Sequence, residues 1–358
     1  MPSLLLAAGV LIIIATLALN YKSVFKHNPD TAVAGAVGYQ TDVCAQTKNI
    51  TYSCYKKELT DLTIQKGPEY ATAIVKQGYP NIQYVQLQCH QLMHTIGRAA
   101  LTKYKDLATT YVHGDQFCAS GYYHGASEEI IAEKGANYMV KNAGKICAKF
   151  KSGQYSQLDY YNCVHGIGHG LMEATNGDLF ASLKGCDNLA TNWEHDSCYS
   201  GVFMQNVMIE QSPDESIDHK SAYLDPSQPM YPCTAVADRY KGGCYNFQTS
   251  YALTVVNYDF PKVFDLCTTD GGPKYRDTCY GSLGRDASGA SSLNNKKTAD
   301  FCYQGPNSEA IGNCLDGAAK NIVYSLHSDN LAYSFCEGLK TQYRIDCIAT
   351  VKDFYSTF

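Results

Sequence analysis

Five histidines and two glutamates stand at repeating intervals in the first half of this chain. Cys89 is followed by His90 and His94. Cys118 is followed by His124, within Gly121-Tyr122-Tyr123-His124-Gly125. Cys163 is followed by His165 and His169, within Cys163-Val164-His165-Gly166-Ile167-Gly168-His169-Gly170-Leu171-Met172-Glu173. Counted from their cysteines, His124 and His169 hold the same place and His94 falls one short of it. Glu128 and Glu173 follow His124 and His169 at four residues. Residues four apart share one face of a helix, and two imidazoles so spaced are a standard pair of metal ligands.

Nitrogen-rich ligand sets with one or two carboxylates suit zinc, copper or iron. We therefore expect His90, His94, His124, His165 and His169 as ligands of a divalent transition metal, with zinc or copper ahead of iron. Glu173 or Glu128 would be a ligand or a general base, acting with metal-activated water or a redox metal. Seven groups exceed one tetrahedral site, so either some of them orient the others or two ions are held. Two rival readings stand beside this one. In the first, the histidines bond buried carbonyls and pack between helices. In the second, His and Glu form a metal-free acid–base site.

Gly166, Gly168 and Gly170 sit in the same stretch. Each costs roughly 1 kcal/mol against alanine inside a helix, so a neighbouring helix or a ligand is expected to approach this backbone closely. A histidine near a helix start is also disfavoured as a cation, because the dipole end is already positive. That would leave the neutral imidazole a metal requires.

The elements that position these groups are marked by cysteines. One class recurs at 54, 89, 118, 163, 198, 244, 279, 314 and 347, and four of the eight intervals are 35 residues. That period fits a two-helix repeat. Ser53, Asn162, Ser197, Thr278, Asn313 and Asp346 precede six of these cysteines. All are N-cap types, which predicts that each cysteine opens the second helix of a hairpin. A second class, at 44, 147, 186, 233, 267, 302 and 336, mostly follows an apolar residue and reads as the buried end of the first helix.

The two classes pair by proximity as Cys44–Cys54, Cys147–Cys163, Cys186–Cys198, Cys233–Cys244, Cys267–Cys279, Cys302–Cys314 and Cys336–Cys347. Each closes a loop worth about 3 kcal/mol of chain entropy. Cys89 and Cys118 remain, either bonded to each other or free. In later repeats the histidine place holds Met204, Ser250, Arg285, Lys320 and Asp353, so the histidines are confined to one region. Stacked helices put equivalent positions about 8–10 Å apart facing the same way, which allows the imidazoles to converge. His113 and His195 are expected in surface loops between helices. Residues 209–232 read as a tolerated polar insertion with four prolines.

The chain has 358 residues, a net charge of −5 and no long basic run, which argues against a nucleic-acid partner. Sixteen cysteines without a CxxC pattern imply disulfides and an oxidising compartment. Residues 4–19 are uncharged and apolar. With their flanks they approach the ~20 residues of a bilayer span, and read as a signal anchor or a cleaved signal peptide. Lys22 and Lys26 would favour a cytoplasmic side, but a large disulfide-bonded body overrides two lysines. The expected plan is a transmembrane helix at 1–21, a linker at 22–38 and an extracytoplasmic domain of about nine hairpin repeats at 39–358.

Hairpin repeats of this length with one internal disulfide resemble the cysteine-rich Sel1-like proteins of the tetratricopeptide class. The resemblance covers the architecture of residues 40–358 and carries over no binding residue. It implies an all-α array, either a right-handed α-solenoid with a concave face or a closed α/α toroid. A protein or glycan on that concave face is the partner it implies, with the membrane reached through the N-terminal helix.

Overall fold

A computed structural model describes residues 42–356, except 116, 119, 136–137, 139–141, 143–144, 146, 152–154, 211–220 and 327. The expected membrane span at 1–21 and most of the linker lie outside the described residues. No helix among the described residues is long and apolar enough to cross a membrane. Residues 42–358 form one compact unit.

The described chain is all-helical, as its periodicity implies. The elements that position the histidines are α1 (Val43–Gln46), α2 (Tyr52–Lys66), α3 (Pro68–Gly78), α4 (Gln83–Tyr104), α5 (Leu107–Val112), α6 (Gly121–Lys134) and α7 (Gln157–Ala174). They continue with α8 (Leu179–Cys186), α9 (Asn192–Glu210), α10 (Asp238–Tyr245), α11 (Gln248–Val255) and α12 (Phe260–Asp270). The last are α13 (Gly272–Ala290), α14 (Asn295–Cys302), α15 (Ser308–Leu326), α16 (Asp329–Glu337) and α17 (Thr341–Tyr355). The long helices α2, α4, α6, α7 and α9 stack side by side in chain order, followed by α10, α13, α15 and α17. Shorter helices connect them.

All seven expected disulfides are present, and Cys89 is bonded to Cys118. Cys186 and Cys302 end α8 and α14, and Cys267 and Cys336 lie in the last turns of α12 and α16, as expected of the second class, whereas Cys147 and Cys233 lie outside any helix. The first class differs from expectation. Asn162 lies inside α7, where it is buried, and Ser197 lies inside α9. The true start of α7 is a capping box one turn and more upstream, in which Ser156 accepts from the Asp159 N–H and Asp159 accepts from the Ser156 N–H. Thr51, not Ser53, caps α2. Earlier starts place Cys89, Cys163, Cys198, Cys279, Cys314 and Cys347 inside their helices, whereas Cys54 stays in a first turn and Cys118 precedes α6.

Glycines set how closely the long helices cross. A Cβ on Gly97 of α4 would strike the Tyr122 carbonyl of α6, and one on Gly125 of α6 would strike the His94 carbonyl of α4. Gly168 of α7 and Gly201 of α9 repeat this reciprocal fit, against the Cys198 and His165 carbonyls. The approach foreseen at Gly166 and Gly170 is made by Ser127 and Ile131 of α6. Two of the carbonyls so approached, His94 and His165, belong to expected ligands, so the backbone crossings fix the spacing of the imidazoles.

The array curls back on itself. The Cys118 N–H, just before α6, donates to the Ser325 carbonyl at 3.2 Å. Tyr324 donates to Asn162 of α7 at 3.3 Å. The C-terminal end of α15 thus closes against the histidine-bearing repeats. A cleft of about 340 Å³ remains between the two halves, lined by His90 and Phe117 on one side and by Arg285, Asp286 and Asn321 on the other.

Candidate metal centre

Three consecutive long helices, α4, α6 and α7, bring the five histidines together. His90, His94 and His124 present ligand nitrogens all within 4.8 Å of one another, and so do His124, His165 and His169. The His124 ring lies 5.2 Å from His90 and 5.6 Å from His94, centre to centre. It lies 4.6 Å from His165 and 5.0 Å from His169. His94, His124, His165 and His169 are at most 2 % exposed. His90 is half-buried at the edge of the cleft.

The surroundings of three rings define their tautomers. His90 Nδ1 faces the Cys118 carbonyl at 2.8 Å. His94 Nδ1 faces the Glu128 carboxylate at 3.1 Å, and His169 Nδ1 faces Gln205 Oε1 at 2.7 Å. His165 Nδ1 meets two hydroxyls, Ser200 at 2.8 Å and Tyr161 at 3.2 Å. Nδ1 of His90, His94 and His169 therefore carries the proton, and their Nε2 atoms present lone pairs. The Nε2 atoms face each other in pairs. His90 and His94 Nε2 are 2.9 Å apart, and His165 and His169 Nε2 are 3.1 Å apart. Two acceptors at that distance, as at His90 and His94, repel unless a proton or a cation lies between them. Nitrogens sharing one tetrahedral ion stand roughly 3.3 Å apart at Zn–N bond lengths.

The charge state favours a cation other than a proton. Burial, then the neighbouring imidazoles, holds His90, His124 and His165 well below the ordinary imidazole range, and burial also lowers His94. The helix dipole is not the cause foreseen from the sequence. His90, His94, His165 and His169 lie in helix middles, and only His124 falls in a first turn.

A pH dependence follows for the metal-free protein. An imidazole with a lowered folded pKa binds more protons unfolded than folded, so its contribution is complete above about pH 6.5 and is lost as pH falls below that value. Urea denaturation with chelator is expected to show a lower midpoint at pH 5 than at pH 7. Equal midpoints would contradict the buried neutral state.

Glu128 is 1 % exposed and stays ionised. Burial pushes its carboxyl up, but His94 and the Arg98 guanidinium outweigh that and hold it well below the usual carboxylate range. Arg98 donates to it from Nε at 3.0 Å and Nη2 at 2.6 Å. The other oxygen, Oε1, lies 3.4 Å from His169 Nδ1. Glu128 thus orients His94 directly, while its second oxygen lies beside His169, whose Nδ1 is held by Gln205. Glu128→Gln is expected to weaken zinc binding about 10–100-fold with helical content unchanged, as read by competition with a chromophoric chelator. Glu173 points outward. Its side chain is 43 % exposed and meets Arg98 Nη2 at 3.5 Å.

Arg98, Ser200 and Gln205 were not anticipated. Arg98 continues the His90–His94 stripe by four more residues and was legible on that ground. Gln205 falls one residue past the place counted from Cys198, and no sequence signal marks it. His113 is apart from the centre, bonded to Glu69 at 2.6 Å and stacked on Tyr104. His195, expected in a loop, lies on α9 and meets the Leu189 carbonyl at 2.8 Å.

His124 differs from the other four rings. Both of its nitrogens are buried and neither has a hydrogen-bond partner. Comparison of the chain with protein-family models, curated proteins and solved structures gives no match.

Proposed function

We propose that this chain is an extracytoplasmic metalloprotein, tethered to the membrane by residues 1–21, whose histidine centre holds a divalent transition metal. The observation that carries the reading is His124. A buried imidazole with two partnerless nitrogens costs about 1–3 kcal/mol per orphaned group. A metal that takes the His124 lone pair removes that part of the cost, and it also relieves the facing Nε2 atoms of the flanking pair it binds.

Zinc and copper suit this all-nitrogen set best, and iron next. The disulfides support an oxidising compartment. The domain supplies oriented, neutral imidazoles and a buried carboxylate that orients His94. Glu173, half-exposed beside Arg98, would exchange protons with solvent.

The test is elemental analysis of the full chain, purified without a polyhistidine tag and dialysed after exposure to zinc or copper. Bound metal that survives dialysis and raises the unfolding temperature is expected. A chain that stays metal-free while remaining helical would overturn the reading.

A further inference from the structure

We propose that the centre is dinuclear and that His124 bridges two ions, one nitrogen on each. The inference rests on the metal-binding reading above and adds the number of ions and the way they are linked.

The ligand nitrogens fall into two sets of three that share only His124. The His90–His94 pair comes from α4 and the His165–His169 pair from α7; the His124 ring of α6 contacts all four, and His94 and His169 also meet directly at 5.5 Å. One ion would occupy one His124 nitrogen and leave the other buried without a partner. It would also leave one Nε2 pair face to face. Two ions satisfy both nitrogens and both pairs. The four outer rings have their Nδ1 atoms engaged, so none of them can bridge.

Binding the second ion releases the remaining N–H proton of His124 to solvent, and the ring bridges as an imidazolate. No electron is transferred. Each ion then has three nitrogens, the number that leaves a fourth position open in zinc sites that do chemistry. The two positions differ. His165 and His169 are buried, whereas His90 lines the cleft. The ion on His90 and His94 is the one that a water or an anionic ligand reaches.

The full chain is loaded with Cu(II) alone, dialysed, and read by elemental analysis and electron paramagnetic resonance. Two copper ions per chain are expected. Their integrated signal should fall far short of the copper content, because the shared ring couples the spins. The double variant His90→Ala/His94→Ala leaves the other triad intact and should bind one ion with full signal intensity. One ion in the unaltered chain, or two with full intensity, overturns the bridge while sparing the metal centre. No bound copper or zinc overturns both. Should the double variant fail to fold, stepwise loading of the unaltered chain decides the matter. Signal that rises to the first equivalent and falls toward the second supports the bridge, and a continued rise refutes it.

Discussion

His124→Leu is expected to abolish tight metal binding while leaving the metal-free fold almost untouched. The ring belongs to both ligand sets. Loss of an orienting residue already costs 10–100-fold in affinity, so loss of a direct ligand should cost about 100-fold or more. Metal-free stability should change by less than about 1.5 kcal/mol. Leucine roughly conserves volume, and the imidazole has no hydrogen bond to lose. A histidine kept for structure would behave in the opposite way, being costly to remove and indifferent to metal. Denaturation midpoints with and without zinc, for both proteins, separate the two. A variant that still gains stability from zinc would contradict the assignment.

Gly125→Ala is the second large effect, expected to cost about 3 kcal/mol and to lower metal affinity as well. The new methyl would meet the His94 carbonyl, which is backbone and cannot rotate away. Helices α4 and α6 would separate, and His94 would move with its own carbonyl. Gly312→Ala on α15 is the control, because nothing lies within 4 Å of its added Cβ. There the helix should gain roughly 0.5–1 kcal/mol. Equal effects at the two sites would mean that the crossings do not govern the centre.

The sequence made the disulfide ladder legible because each bond is local and the 35-residue interval recurs. The convergence of the histidines was legible for the same reason, since equivalent places on stacked helices face one way. Helix starts were misread. Asn162 and Ser197 have capping chemistry but sit inside helices whose caps lie upstream. The role of Glu128 was also beyond sequence spacing. It stands four residues after His124 yet orients His94 and lies beside His169, on the helices to either side. Whether the array stays open or curls depends on contacts such as Tyr324 with Asn162, 162 residues apart, for which periodicity holds no information.

The eight covalent staples and the glycine crossings are complete without any ion. Such a body can finish folding before it meets a metal. On the metal-binding reading proposed above, loading is then a question of entry, not of assembly, by way of the cleft that His90 lines. Bulky chelators should be slow to extract what small ones remove quickly, and the order in which competing ions arrive would decide which of them the protein keeps.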